Sequence, residues 1–149
     1  MSSTDLLFWD TVDRILETEP RYRREAYGFV VAALGLTVQS LPPERLADPA
    51  RRHLSGPELL RGLVLLARRE FGLMAPVVFR EWGIHAAEDV GRIVFQLVEC
   101  GELSARPEDQ LDDFRGFDLF RALTADLEPG SHTAPGRRRG RPGRPGLPA

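Results

Sequence analysis

Residues 53–103 read HLSGPELLRGLVLLARREFGLMAPVVFREWGIHAAEDVGRIVFQLVECGEL, the stretch with the densest apolar periodicity and the sharpest helix punctuation in the chain. Ser55 followed three positions later by Glu58 is a capping box: the hydroxyl accepts from the Glu58 amide, and the carboxylate reaches back to the Ser55 amide. Leu54 and Leu59 stand at the staple positions around it. Pro57 in the first turn sacrifices no intrahelical bond, because the amides there have no partner in any case. From that start Leu59, Leu60, Leu63, Val64, Ala67 and Phe71 recur at three- and four-residue steps, one buried stripe, with Arg61, Arg68 and Arg69 on the other side. Gly72 offers the left-handed residue that ends the helix. A second helix is expected over 73–82, with Pro76 tolerable only near its start, then a turn at Gly83 and Ile84, then a third helix over 86–99. In that third helix Val90, Ile93, Val94, Leu97 and Val98 form the inward stripe, and Glu88, Asp89, Arg92, Gln96 and Glu99 lie outside. Gly101 closes it.

Upstream, Ser3 and Thr4 are candidate caps for a first helix through Thr18, with Leu6, Trp9, Val12 or Asp13, and Leu16 marking its inward face. Pro20 ends that helix and introduces another over 21–41, whose wide apolar face (Tyr22, Ala26, Phe29, Val30, Ala33, Leu34) suits a central position. Pro42, Pro43 and Pro49 predict a loop as far as Arg52. Downstream, 102–106 reads as a strand, 107–113 as a turn, and 114–120 as a second strand or as a final helix extending to Leu127. The fold class expected is mainly α, with five to six helices, and with a helix-turn-helix and a short β-hairpin, winged-helix-like, at the C-terminal end of the body. Residues 1–128 are expected to form one globular domain, and 129–149, rich in Pro, Gly and Arg with almost nothing apolar, a disordered tail.

With 149 residues, 42% hydrophobic and 28% charged, the chain suits one soluble core. A domain of that size buries about 68% of its unfolded surface. The net charge of −2 hides a split: the body holds 15 basic against 22 acidic residues, net −7, and the tail adds five arginines, net +5. All of the basic residues are Arg. A single cysteine, Cys100, excludes an intrachain disulfide framework and fits a reducing compartment. The N-terminal residues lack the basic start and apolar core of a signal peptide. The apolar run 26–38, 13 residues long, falls short of the roughly 18 needed to span a bilayer. A cytoplasmic protein is the expectation.

The run His53, Ser55, Gly56, Glu58, Leu59, Leu60, then Phe71, Gly72, Met74, Ala75, then Trp82, Gly83, Ile84, then Asp89, Gly91, Ile93, Val94, Phe95, Leu97, Val98 resembles a family of small bacterial proteins of unknown function. Arg21, Tyr22, Glu25, Ala26 and Tyr27 upstream extend the likeness, as do Asp113, Phe114, Phe117, Asp118 and Phe120 downstream. Leu73, Val90 and Gln96 depart from it, standing where Pro, Phe and Asn would be expected. The resemblance implies no activity, cofactor or site residue. The helix–glycine turn–helix–strand–turn–strand order also resembles a winged helix-turn-helix. Its would-be recognition helix exposes Glu88, Asp89 and Glu99 against Arg92 alone, and its would-be wing is acidic. A phosphate backbone would be repelled, so such a shape would serve protein contact.

Arg139, Gly140, Arg141 and Pro142 match the core of an AT-hook, in which glycine permits close approach, arginines seek the negative potential of a narrow A·T minor groove, and proline keeps the chain extended. Arg137, Arg138 and Arg144 would hold flanking phosphates, although Arg138 occupies the place of the usual proline. The competing reading is a low-complexity tail that binds any polyanion. His53 is a candidate ligand or base, against the plainer role of hydrogen-bonding a neighbouring helix end. His85 and His132 share no metal-ligand spacing with it. Asp109, Asp112, Asp113 and Asp118 cluster without the alternation and central glycine of a calcium loop. Cys100 reads as packing, and Trp9, Tyr22, Tyr27 and Trp82 as core aromatics with a polar tip. No catalytic, cofactor or metal residue is expected, because no nucleophile elbow, phosphate loop or dinucleotide fingerprint occurs. The leading functional reading is a non-catalytic protein–protein interaction module. The alternatives are a DNA-associated protein acting through the tail, and an enzyme of unknown reaction built on His53, Glu58 and the acids of the would-be wing, residues 102–115.

Overall fold

The computed structural model describes residues 3–103 and 111–125; at positions 3, 4, 111 and 112 it describes the backbone alone. Among these residues there are six α-helices of seven residues or more and one single turn: α1 (Ser3–Thr18), α2 (Arg24–Gln39), α3 (Pro43–Leu46), α4 (Gly56–Phe71), α5 (Ala75–Glu81), α6 (Ala87–Glu99) and α7 (Leu119–Ala125). α4 starts as the capping box requires. The Ser55 hydroxyl accepts from the Glu58 amide at 3.2 Å, and Glu58 Oε1 accepts from the Ser55 amide at 2.9 Å. Its stripe is wider than the spacing predicts, because Leu66 joins Leu59, Leu60, Leu63, Val64 and Ala67 in the core. A helix flanked on both sides must bury more than one ridge.

α2 and α4 pack side by side and antiparallel. Thr37 lies against Gly62, where a Cβ would overlap the threonine hydroxyl, and the rings of Phe29 and Phe71 are 5.4 Å apart. α1 covers another side of α2. Trp9 sits over Gly28, and the Arg24 guanidinium lies 4.4 Å from the Trp9 ring while pairing with Asp13 at 2.8 Å. α6 packs against α2 and α4, and α7 packs across α4 and α5.

Several expectations need correction. On α1 Val12, with Trp9 and Leu16 partly buried, faces inward as expected, but Thr11 and Ile15 join them and Leu6 and Asp13 are exposed. α2 begins at Arg24, not Arg21, because the preceding residues turn to donate the Arg23 amide to the Trp82 carbonyl at 3.0 Å. The proline-rich 42–52 segment carries α3 and a 3-10 turn at Pro49–Arg51: a proline at a helix start has its φ already set, so prolines here begin turns instead of forbidding them. Asp89 is buried, not outside, and Cys100 is exposed, not packed.

The β-hairpin and winged-helix reading is not supported. No strand occurs among the described residues. α6 ends in a Schellman motif, with Gly101 at φ 82° and the Glu102 amide returning 2.9 Å to the Leu97 carbonyl, so the chain bends back at the point where the first strand was expected. Residues 111–114 make a 3-10 turn, and Asp118 caps α7 by accepting from the Arg121 amide. Leu119 and Leu123, four apart, are both buried, the period of a helix.

Candidate functional site

α3 carries Arg45 to the start of α4, where one guanidinium ties three segments together. It donates to Glu58 Oε2 at 2.7 Å, to the His53 carbonyl at 3.2 Å and to the Arg51 carbonyl at 3.0 Å. The Arg45 hydrogen bond, followed by the Ser55 amide, pushes the Glu58 carboxyl down to about 2. Glu58 is therefore occupied twice over. His53 gives its carbonyl to this node and its imidazole to none of it.

His53 also lines a cavity of about 380 Å³, open to solvent, between α2, α4, α6 and the 111–114 turn. Leu34 and Val38 of α2, Leu59 of α4, and Val94, Phe95 and Val98 of α6 line it, with Leu54, Leu103 and Phe114 closing the rest. Three charged residues and a histidine stand around the apolar walls: Arg52, Glu102, Asp113 and His53. They are not equivalent. Glu102 Oε2 accepts from the buried Thr11 hydroxyl at 3.1 Å, and Arg14 donates to that same hydroxyl at 3.3 Å. Asp113 is engaged as well. The side chains of Arg52 and His53 have no hydrogen-bond or ion-pair partner among the described residues. The sequence placed His53 next to the cap but held no signal for the cavity it borders.

The same two helices meet again through polar groups. Tyr22, just before α2, donates its hydroxyl to Asp89 Oδ1 at 2.6 Å, and Tyr27 donates to Gln96 Oε1 at 2.6 Å. Asp89 Oδ2 accepts from the amides of His85 and Ala86 at 2.8 and 3.1 Å, and Oδ1 also takes Arg92 at 2.7 Å. Burial opposes ionisation of Asp89, but Tyr22, the two amides and Arg92 together outweigh it and hold the carboxyl below its ordinary value. Burial first, then the bond to Asp89, pushes the Tyr22 hydroxyl up to about 12. Stripe-reading missed this cluster; the available signal was Asp89 at the third position of α6, where a carboxylate turns back onto unpaired amides.

The outer surface carries the remaining apolar groups. Where α4 passes into α5, Leu73, Met74 and Val77 are 76%, 55% and 45% exposed. Leu36 and Leu65 are also exposed. At 100° per residue, Leu36 (one step before Thr37) and Leu65 (three after Gly62) turn to the same side of the antiparallel α2–α4 pair, away from the cavity.

Arg137, Arg138, Arg139, Gly140, Arg141, Pro142 and Arg144 lie outside the described residues, as do Asp109 and His132. Asp112 is described in its backbone only, and Asp118 is spent on the α7 cap. Among the described residues no group of three His, Cys, Asp or Glu could hold a metal ion, and no helix is long and apolar enough to cross a membrane. The chain matches no model of a known protein family, no curated protein and no solved structure.

Proposed function

We propose that the chain is a non-catalytic interaction module that docks another protein through the apolar knuckle at the α4–α5 junction. The observation that carries this reading is that Leu73, Met74 and Val77 remain in water within a single turn. Single exposed apolar residues are ordinary on soluble proteins, but a contiguous group of large ones marks a contact surface. Against an enzyme built on His53 and Glu58, the Glu58 carboxylate is already held by its cap and by Arg45. A second reading, DNA association through the Arg-rich tail, is favoured by the charge split between a body at −7 and a tail at +5.

One experiment separates the two. The full chain, a Leu73→Asp/Val77→Asp variant and a chain cut at Pro129 are each used as bait in native lysate, with and without nuclease. The docking reading expects the full and cut chains to capture the same protein through nuclease treatment, and the double variant to lose it. Capture that survives the double variant overturns the knuckle. Capture that disappears with nuclease and with the tail transfers the function to nucleic acid.

A further inference from the structure

We propose that the cavity between α2, α4, α6 and the 111–114 turn is a binding site for an amphipathic carboxylate, a slender acyl anion whose chain occupies the apolar walls and whose head meets Arg52 and His53. The site is separate from the docking knuckle and does not depend on it.

The volume gives the size class. At about 380 Å³ the cavity lies at the lower end of the range that holds small ligands, room for a short unbranched chain and little more. The walls give the body of the ligand. Leu34, Val38, Val94 and Val98 face the space from two helices that otherwise pack closely, so filling it removes apolar surface from water on protein and ligand together.

Charge complementarity gives the head. Of the four titratable residues around the cavity, the two acids have other partners: the Glu102 carboxylate accepts from Thr11, itself contacted by Arg14, and Asp113 is not free. The two uncommitted side chains, Arg52 and His53, are the two that donate to an anion. A third donor supports them. Gly56, buried at the first position of α4, borders the cavity, and its amide has no acceptor within the helix. Ser55 and Pro57 remove its neighbours from consideration, one as the cap and the other by lacking an N–H, so the donor set is a guanidinium, an imidazole and one main-chain amide. That set fits a carboxylate, planar and singly charged.

Calorimetric titration of the full chain with octanoate, 1-octanol and octylammonium, all below their aggregation concentrations, tests the assignment. Octanoate is expected to bind about tenfold more tightly than the alcohol, with octylammonium weakest. Arg52→Ala/His53→Ala should erase the preference for octanoate over octanol while leaving the alcohol unchanged. Val98→Trp, which fills the space, should abolish binding of all three. In case that variant fails to fold, methyl chemical shifts of the native chain give an independent reading: Val94, Val98 and Leu34 should move with octanoate, and Leu73 should not. No binding, equal affinity for carboxylate and alcohol, tighter binding of the ammonium ion, or shifts centred on Leu73 would each overturn the site. Leu73→Asp/Val77→Asp should bind octanoate normally, so failure of the docking reading and failure of this one are told apart.

Discussion

α2 and α6, with the residue that leads into α2, meet at two places, and the two are built on opposite principles. At one, Tyr22 and Tyr27 reach Asp89 and Gln96 through hydroxyl bonds of 2.6 Å, and the Asp89 carboxylate accepts from four donors. At the other, Leu34 and Val38 face Val94 and Val98 across open space, and the nearby Arg52 and His53 bond to nothing described. A buried polar group is tolerable only when satisfied, so the first place is committed to holding the fold. The second leaves apolar surface, a guanidinium and an imidazole unspent. The difference separates groups whose removal costs stability from groups whose removal costs only binding.

The largest effect is expected at Asp89. Replacing it with Ala strands the Tyr22 hydroxyl, the amides of His85 and Ala86, and Arg92. Breaking a buried charged network in this way costs about 3–5 kcal/mol. For a domain of this size that is about 10 °C or more in the midpoint of a thermal melt followed by circular dichroism. A loss under about 1 kcal/mol would mean that the clasp is ornamental and would remove half of the contrast.

Much of the helical frame is legible in the sequence, and the clasp is not, for a physical reason. Ser55 and Glu58 recognise each other across three residues, so their bond is written locally. Asp89 and Tyr22 are 67 residues apart, and nothing in the neighbourhood of either names the other. Spacing alone placed Asp89 outside because it flanks the α6 stripe, yet a flank that abuts another helix is interior. The error after Gly101 has a different source: Phe114, Phe117 and Phe120 suit a strand or a helix, and only the burial of Leu119 against α4 and α5 decides between them. The cavity was invisible for a third reason. Its walls come from four elements, and an apolar residue facing a void has the same spacing as one facing a neighbour.

An intermediate effect is expected at Glu58, whose carboxyl is held at about 2 by Arg45 and Ser55. A folded-state value depressed below the unfolded one contributes stability that is present above the unfolded value, near pH 4.5, and lost as pH falls toward 2. Because the side chain is partly open to water, the contribution is discounted to about 1–2 kcal/mol. Glu58→Gln should cost that amount at neutral pH and flatten the decline in melting temperature between about pH 5 and pH 2. An unchanged acid limb would show that the cap and the Arg45 bridge do not set acid stability.

The smallest effect is expected from Arg52→Ala/His53→Ala, and its smallness is the sharpest test of the comparison. Arg45 holds the loop through the main-chain oxygens of Arg51 and His53, which the substitutions leave in place. The altered side chains carry no hydrogen bond among the described residues, so the fold loses no partner. Surface changes of this kind stay within about 0.5 kcal/mol. Urea unfolding should give the same slope and a midpoint close to that of the unaltered chain, in contrast to Asp89→Ala. A loss above about 1 kcal/mol would place Arg52 and His53 among the groups that hold the fold, and the donors assigned to a carboxylate would already be spent.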